Sequence, residues 1–256
     1  MLLISIGSNA QTQSPYHTDF WTDGAWLTAG FGLSAYGLIL IQNKEGITEE
    51  ELNNLSEDDL WGIDRWAAGN NSESANKISD IPFYSSFTTP FFLLFDKNMK
   101  SNAGQLSVLF LESMSTTAAM FSITAGLVDK GRPKIYDPNL ELNERLEGDN
   151  QRSFYSGHVA ASATATFFAA QVYSDFYPDS KAKPYIWAAA AIIPASVGFF
   201  RIQSGNHFLT DSILGYALGA ACGIYIPKLH KIKNNNLKVS PGLGFNSQSL
   251  YISYTF

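Results

Sequence analysis

Six apolar runs separated by polar connections dominate the pattern of the chain. They cover residues 25–41, 81–95, 105–128, 159–173, 185–200 and 208–226, and the charged residues inside them are Glu112 and Asp211. A bilayer core needs about 20 apolar residues per helix, so several runs are long enough only when uncharged flanking residues are counted. The pattern predicts six helices, which either cross a membrane or are buried on all sides in a soluble bundle.

Two features favour the membrane interpretation. The runs are rich in Ala, Gly, Ser and Thr, and small residues let transmembrane helices approach closely, which explains a mean hydropathy of only -0.05. Trp and Tyr recur near the ends of the runs, as in the aromatic belts at membrane interfaces. These residues are Trp26, Tyr84, Tyr173, Tyr185 and Trp187.

The lysines between the runs indicate an orientation. They fall in the second and fourth connections and after the sixth run, which share one side of a six-helix layout. These lysines are Lys97, Lys100, Lys181, Lys183, Lys228, Lys231, Lys233 and Lys238. The positive-inside rule makes that side cytoplasmic and leaves connections one, three and five on the outer face.

Connection one, residues 43–80, is strongly acidic, as an outer loop can be. Thr48 followed three residues later by Glu51 predicts a capping box. We expect this box to start an amphipathic helix that reaches Trp61 and Trp66 and lies on the bundle.

Both ends of the chain stand apart from the helical domain, which we place at residues 11–230. Residues 1–10 resemble the end of a secretory signal peptide that has lost its basic region. Cleavage after Ala10 would put the mature N-terminus outside and invert the orientation given above. In the C-terminal tail, residues 231–256, two strand-like stretches flank Gly242 and Gly244 and predict a short β-hairpin. A single hairpin cannot span a membrane, because its edges would be unsatisfied in lipid.

Composition excludes several classes of protein. Charged residues make up 16% of the chain, compared with about a quarter in typical soluble domains. The net charge of -6 argues against a nucleic-acid-binding protein, which normally has a basic patch. Cys222 is the only cysteine, so no internal disulfide can form, and we interpret it as a small core residue.

Polar residues suited to chemistry gather where the runs meet connections three and five. Connection three ends in Ser-Gly-His at residues 156–158, and a helix start of this sequence offers free backbone N–H groups to an anion. Arg132 and Arg201 can add planar, bidentate donors that match phosphate oxygens. On a helix, His207 and Asp211 would stand at i and i+4, so the carboxylate could hold one imidazole nitrogen and leave the other free to attack.

These residues, in this order, resemble the type 2 phosphatidic acid phosphatase (PAP2) and vanadium haloperoxidase superfamily. The family pattern is Lys-x6-Arg-Pro, then Ser-Gly-His, then Arg-x5-His with an Asp four residues further on. The match covers core motifs within residues 107–227 and looks most like the bacterial membrane-bound phosphatases. One functional position departs from the pattern, since Ala125 stands where the family has its lysine. The candidates to supply the missing charge are Lys130, Lys134 and Arg152.

The resemblance implies an all-α bundle of six transmembrane helices and a metal-independent phosphatase. Its substrate would be a phosphate monoester or diphosphate of a lipid, such as phosphatidate, a polyprenyl diphosphate or a lipid A phosphate. His207 would form a phosphohistidine, Asp211 would orient its ring, and His158 would protonate the leaving oxygen and then activate water. The residues that would bind the phosphoryl oxygens are Arg132, Ser156, Gly157 and Arg201. The resemblance implies no cofactor.

Two other functions remain open. A vanadate-dependent haloperoxidase would use the same anion site for a bound vanadate, and a non-catalytic membrane protein could keep the fold, as Ala125 allows. In the latter case Arg132 and Arg201 would be interfacial anchors and the histidines helix caps. Glu112 lies on the lysine-rich side, away from the motifs, and we expect it to be a structural hydrogen-bonding group.

Overall fold

The computed structural model describes residues 14–232, together with the backbone of residues 237–244 and 247–254. Residues 14–232 form α-helices joined by short 3₁₀ turns, and their β-structure consists of two isolated bridges. The prediction of an all-α bundle is therefore confirmed. The helices are α1 (Phe20–Gln42), α2 (Glu49–Asn53), α3 (Glu73–Ser86), α4 (Thr89–Phe92), α5 (Lys97–Ser101), α6 (Ala103–Leu127), α7 (Leu142–Arg145), α8 (Gly157–Phe176), α9 (Lys183–Gln203) and α10 (Leu209–Leu229). The 3₁₀ turns are Glu57–Asp59, Arg65–Ala67, Leu93–Phe95, Pro133–Tyr136 and Gly148–Gln151.

Four helices of the described part, α1, α6, α9 and α10, are long and apolar enough to cross a membrane. Their outer faces carry large apolar side chains that are more than half exposed, among them Phe31, Ile192, Phe199 and Ile213. In water such a surface would be an aggregation site, whereas lipid would cover it. The chain is therefore a membrane protein with four candidate spans.

The two remaining apolar runs differ from the predicted spans. Run four forms α8, most of whose residues are buried by neighbouring helices, so its many small and hydroxyl side chains face protein. Run two is divided between α3, α4 and the turn Leu93–Phe95. The second of these helices begins at Thr89 with Pro90 in its first turn, a position that suits proline because its missing N–H has no intrahelical partner there. Within residues 14–232 the chain passes between the two ends of the bundle six times, and four of these passes meet the requirements of a span.

A stripe of glycines joins α10 to the central helix α8. Gly215, Gly219 and Gly223 recur once per turn along α10 and lie directly on the α8 backbone. A Cβ on Gly219 would collide with the carbonyl oxygen of Ala160. This small-residue packing is typical of membrane helices, and it fixes the distance between the ends of α8 and α10.

The connections gather at two ends of the bundle. Residues 43–72, 128–156 and 204–208 form what we call the loop end, where the Gly69 N–H donates to the Pro133 carbonyl over 2.9 Å. Residues 14–19, 96–102, 177–182 and 230–232 form the terminal end, where the Tyr177 hydroxyl donates to Asp96 over 2.7 Å. The odd-numbered connections thus share one end, as the lysine pattern requires. Their orientation in a membrane stays a prediction.

The capping box of connection one is confirmed, because Thr48 Oγ1 accepts from the Glu51 N–H and the Glu51 carboxylate accepts from the Thr48 N–H. The helix that it starts is shorter than predicted. α2 ends at Asn53, and the segment that carries Trp61 and Trp66 continues in 3₁₀ turns rather than in one amphipathic helix.

Beyond the bundle, the backbone forms β1 (Leu237–Gly244) and β2 (Ser247–Tyr254). The two strands pair antiparallel, with Leu237 opposite Tyr254. The predicted hairpin falls on these segments. The signal-like residues 1–10 lie outside the described residues, and the division into a domain at 11–230 and a tail at 231–256 stays a prediction.

Candidate active site

The predicted site residues gather at the loop end, where four helices end or begin. Ser156 precedes the first turn of α8, Arg201 lies in the last turn of α9, and His207 lies in the short connection to α10. Gly205 has a φ of 70°, a left-handed conformation that favours glycine, and a Cβ there would also collide with the Asn70 carbonyl. This tight turn brings His207 back over the bundle beside Arg201.

His207 is buried and held by a backbone group. Its Nδ1 lies 2.7 Å from the carbonyl oxygen of Ser153, which can only accept, so Nδ1 carries the proton and Nε2 keeps its lone pair. The side chain is 2% exposed. Burial, and then the charges of Arg132 and Arg201, hold the pKa of His207 well below its ordinary value. The imidazole is therefore neutral at pH 7, with Nε2 available as a nucleophile.

Asp211 does not form the predicted hydrogen bond to His207 in the described structure. Because α10 begins at Leu209, His207 precedes the helix, and the spacing of four residues does not place the two side chains on one helical face. The Asp211 carboxylate accepts instead from Ser153 Oγ at 2.7 Å and from the Phe208 N–H at 3.0 Å. Ser153 thus binds Asp211 with its hydroxyl and His207 with its carbonyl, and it links the two residues. Sequence reasoning assigned Ser153 no role.

Lys130 is engaged by the same carboxylate. Its Nζ lies 2.7 Å from Asp211 Oδ1 and 4.9 Å from the centre of the Phe208 ring. Asp64 Oδ2 is 3.9 Å away, and this buried carboxylate also accepts from the Thr210 N–H over 3.0 Å. The charge of Lys130 is therefore paired with carboxylates at the start of α10.

The two predicted phosphate-binding arginines are buried side by side. Arg132 and Arg201 are 9% and 7% exposed. Arg132 Nη1 donates to Asn206 Oδ1 at 3.1 Å, and Arg201 Nη1 donates to Asn76 Oδ1 at 2.8 Å. The Nε–H of each arginine is buried without a partner among the described residues. Burial and the neighbouring arginines lower the pKa of Arg132 to about 9, so it remains charged at pH 7.

Asp149 is the carboxylate that forms ion pairs with this arginine cluster. Its carboxylate pairs with both Arg132 and Arg152, and it is partly exposed. Lys134, the third basic residue of the predicted set, lies 3.7 Å from Glu144. The three candidates for the missing charge therefore all face carboxylates, and Arg152 is the one that joins the arginine cluster.

The Ser-Gly-His sequence forms the start of α8. Ser156 Oγ is fully buried and has no hydrogen-bond partner among the described residues. A Cβ on Gly157 would lie 2.7 Å from the Phe121 ring, so any other residue here would displace that ring. The His158 ring packs against Phe83 with 4.5 Å between ring centres. The first-turn N–H groups and the Ser156 hydroxyl therefore remain as donors beside His158.

Ala125 is fully buried near the end of α6, and a lysine of connection one lies beside it. Lys44 Nζ donates to the carbonyl oxygens of Ala125 at 2.8 Å and of Val128 at 2.6 Å, and it lies 3.1 Å from Asp129. A lysine that binds the last carbonyls of a helix stabilises its negative end. Sequence reasoning missed Lys44 because nothing in the acidic connection distinguishes it, and 81 positions separate it from Ala125.

An apolar groove of about 430 Å³ is lined by residues at the start of α8, the end of α9 and the start of α10. It lies between α8, α9 and α10. Residues lining it include Val159, Gly198, Phe199, Ile202, Leu209 and Ile213. Val159 directly follows His158 in α8, and Ile202 directly follows Arg201 in α9, so the groove reaches the same helix ends as the site residues.

The fold and the site define a helical membrane protein with a buried histidine and a cluster of anion-binding groups at one end. Residues 106–235 match the family model described as the PAP2 superfamily, and the chain belongs to that superfamily. Among solved structures it is similar to a transmembrane PAP2-type phosphatidylglycerolphosphate phosphatase from Bacillus subtilis, at 19% identity and a TM-score of 0.49. That alignment covers 81% of this chain and 99% of the other. No curated protein matches the chain significantly.

Proposed function

We propose that this PAP2 protein is a phosphatase that hydrolyses a phosphate monoester or diphosphate of a lipid through a phosphohistidine on His207. One observation carries the proposal. The buried His207 is neutral, with Nδ1 held by Ser153 and Nε2 free, and it lies close enough to Arg132 and Arg201 for their charges to lower its pKa. A nucleophile surrounded by cationic donors is what phosphoryl transfer requires.

In the first step, the lone pair of His207 Nε2 forms a bond to phosphorus while the ester P–O bond breaks. Burial, and then the charges of Arg201 and Arg132, lower the pKa of His158 to about 3, so His158 is neutral before substrate binds. The negative charge of the bound phosphate raises that pKa, and the protonated His158 then gives its proton to the leaving oxygen. In the second step, His158 takes a proton from water, the water oxygen attacks phosphorus, and the N–P bond breaks with its electron pair returning to Nε2. Asp211 acts through Ser153 as a positioning residue, and its negative charge is matched by Lys130.

Charge that develops on the phosphoryl oxygens would be stabilised by groups whose donors are not used within the protein. Among the described residues, these unused donors are the Nε–H groups of Arg132 and Arg201, the Ser156 hydroxyl, and the first-turn N–H groups that begin at Gly157. Preorganised donors of this kind are the main source of rate enhancement in such reactions. Arg152 and Lys134 extend the positive surface toward a second phosphate.

The lipid class of the substrate is supported by the apolar groove. Phe199 and Ile213 line it and are more than half exposed on the lipid-facing side of α9 and α10. A phosphate bound at the arginine cluster would thus have its acyl or prenyl chain in the groove, which opens toward the bilayer. The substrate would be phosphatidate, a polyprenyl diphosphate or a lipid A phosphate, reached from the periplasmic face if the lysine-rich terminal end is cytoplasmic.

The test compares phosphate release from these three substrates by the full-length protein and by His207→Ala, purified in detergent. His17→Ala, which changes an exposed histidine of the terminal end, is the matched control. We expect release by the protein and by His17→Ala, and a loss of about 10³-fold or more in His207→Ala. Radioactive phosphate should be trapped as an acid-labile, alkali-stable adduct that His207→Ala does not form.

Equal release by His207→Ala and the parent protein would refute the mechanism. Bromide oxidation that requires added vanadate, without phosphate release, would identify a haloperoxidase instead. No turnover of any kind, by protein with the correct thermal unfolding, would favour a non-catalytic member of the family.

The groove is tested separately by Gly198→Leu. A Cβ on Gly198 would meet Val159 and Ser212 at 3.5 and 3.6 Å, so the leucine side chain would occupy the groove without displacing backbone. We expect KM for a long-chain lipid phosphate to rise about tenfold or more, while p-nitrophenyl phosphate hydrolysis stays within about twofold. A proportional loss with both substrates would mean that the groove does not hold the lipid chain.

A further inference from the structure

The terminal end holds a second cluster of ionisable side chains, remote from the active site. Asp23 lies in the first turn of α1, Glu112 lies in α6, and His230 directly follows α10. One donor atom of each residue lies within 4.8 Å of the others. Glu112 is fully buried and Asp23 is 6% exposed, so the cluster is inside the protein.

His230 has the orientation of a metal-binding histidine. Its Nδ1 lies 2.9 Å from the Ile226 carbonyl oxygen and donates to it, so the lone pair is on Nε2. Nε2 faces the carboxylates, 3.2 Å from Glu112 Oε2 and 3.4 Å from Asp23 Oδ1. Histidines that bind metals commonly give their other N–H to a backbone carbonyl, which fixes the ring and its tautomer.

Glu112 supplies the second, independent observation. Both of its carboxylate oxygens are buried, and neither accepts a hydrogen bond from any described residue. The expected role as a hydrogen-bonding group is therefore not what the structure shows. A buried carboxylate whose oxygens accept no hydrogen bond is costly, so a positive charge is expected beside it, which either a protonated His230 or a bound cation would supply.

The other polar groups near the cluster are already engaged. Asp23 Oδ2 accepts from the Asp19 N–H at 2.8 Å, and the Trp26 indole donates to Thr116 Oγ1 at 2.9 Å. The nearby Lys231 is bound to Asp175. Among the described residues, no lysine or arginine therefore pairs with the two carboxylates and the imidazole of this cluster.

We propose that Asp23, Glu112 and His230 bind a divalent transition-metal ion, with Zn²⁺ as the best fit. Bonds of about 2.0–2.1 Å in a tetrahedral site separate neighbouring donor atoms by about 3.3–3.4 Å. The two distances from His230 Nε2, 3.2 and 3.4 Å, agree with this spacing. Imidazole nitrogen and carboxylate oxygen are both ligands of Zn²⁺, and the charge of the ion balances the two carboxylates.

The site would fasten α1 to the rest of the bundle. Asp23 belongs to the helix that precedes the matched family region, whereas Glu112 and His230 lie within residues 106–235. Since the cluster is at the end opposite His207, the metal has a structural role, and phosphate chemistry at the loop end would still proceed without a metal.

The test titrates ZnCl₂ into full-length, chelator-treated protein in detergent, with metal content and thermal unfolding as readouts. We expect one Zn²⁺ per chain and a Tm that rises with Zn²⁺ concentration. Glu112→Gln and His230→Ala should each weaken binding by about 100-fold or more. His17→Ala and Asp175→Asn, which change another histidine and another buried carboxylate of the terminal end, should bind Zn²⁺ as the parent protein does.

Zn²⁺ binding that is absent from the parent protein, or undiminished in Glu112→Gln, would overturn the proposal and leave an imidazolium–carboxylate cluster. Should the variants fail to fold, Co²⁺ added to the unmutated protein gives an independent readout. A tetrahedral Co²⁺ site absorbs visible light far more strongly than the octahedral aqueous ion. We expect this band to saturate at one equivalent, and its absence would equally overturn the site.

Discussion

The loop end and the terminal end of the bundle both bury charged side chains. The atoms of these side chains that lack a hydrogen-bond partner among the described residues are donors at the loop end and acceptors at the terminal end. At the loop end, the charged side chains with an unpartnered buried atom among the described residues are Arg132, Arg152 and Arg201, each through its Nε–H donor, and the neutral Asn150 adds one unpartnered acceptor, Oδ1. At the terminal end, the unpartnered atoms are the two carboxylate oxygens of Glu112. Because a buried polar atom without a partner is costly, each end is complete only with a ligand of the opposite charge. The loop end is suited to an anion and the terminal end to a cation.

Carboxylates make the difference clear. Asp211 at the loop end is as buried as Glu112, but its oxygens are used by Lys130, Ser153 and the Phe208 N–H. A buried carboxylate whose oxygens are used holds the structure together, and one whose oxygens are free is a binding group. Residue type and burial do not distinguish the two roles, whereas the count of hydrogen bonds does.

The largest effect is expected from a change that disturbs both ends at once. Gly219 lies between them, where α10 rests on the Ala160 carbonyl, so Gly219→Leu should force α10 off α8 and destabilise the protein by about 3 kcal/mol or more. Recovery of folded protein in detergent and its Tm measure this. Gly32→Leu is the control, since a Cβ on Gly32 meets nothing within 4 Å. Similar behaviour of the two variants would mean that α8 and α10 are not in direct contact.

A smaller effect, confined to the loop end, is expected from Ser153→Ala. This change removes the hydroxyl that binds Asp211 and keeps the carbonyl that binds His207. We expect kcat to fall by about 10- to 100-fold with KM nearly unchanged, as for other positioning groups, and Zn²⁺ binding at the terminal end to stay the same. Ser162→Ala, which removes a buried hydroxyl without a partner, should change kcat by less than about twofold. A parent-like kcat in Ser153→Ala would exclude the link through Ser153.

The pH dependence of activity tests the electrostatics of the loop end. Burial, Arg132 and Arg201 lower the pKa of His207, so the nucleophile should stay neutral and active below the ordinary imidazole pKa of about 6.5. Arg201→Gln removes one of these positive charges and should raise the pKa of His207. The histidine would then be protonated at higher pH, and the acid limb of kcat/KM should move to higher pH.

Taking the ratio of variant to parent activity at each pH cancels the ionisation of the substrate itself. A uniform loss at all pH values would show that Arg201 binds phosphate without affecting His207.

The smallest effect is expected from Lys44→Met. The ammonium group caps the carbonyls at the end of α6, and losing these charged hydrogen bonds should lower stability by about 1–2 kcal/mol and kcat by less than about threefold. Thermal unfolding and phosphate release measure the two effects. A fall of about 100-fold in kcat would instead show that Lys44 supplies the charge of the lysine that Ala125 replaces.

Much of this arrangement follows from the sequence. The apolar runs locate the long helices, because a buried or lipid-covered helix needs an unbroken apolar surface. Motif residues at the ends of those runs are brought together once the helices are antiparallel. That is why Arg132, Arg201 and His207 could be predicted to gather at one end.

Other parts could not be predicted, and the reasons are physical. The partner of His207 is a backbone carbonyl, and every residue has one, so no side-chain pattern reveals it. The predicted hydrogen bond between His207 and Asp211 was wrong. It assumed that His207 lies in α10, whereas the helix begins two residues later, at Leu209. Lys44 and Asp64 reach the site from a connection whose path no periodicity describes. Glu112 was taken for a hydrogen-bonding group because nothing in the sequence places it beside His230.

The burial of α8 has a consequence for biosynthesis. Its hydroxyl side chains bind neighbouring helices, as when Thr164 donates to the Gly219 carbonyl and Thr166 to the Ala190 carbonyl. Those acceptors belong to α9 and α10, which are translated after α8. A helix this polar gains little by entering lipid alone. α8 therefore reaches its native surroundings only after α9 and α10 have been made, and the arginine and histidine groups at the loop end come together at that same late stage.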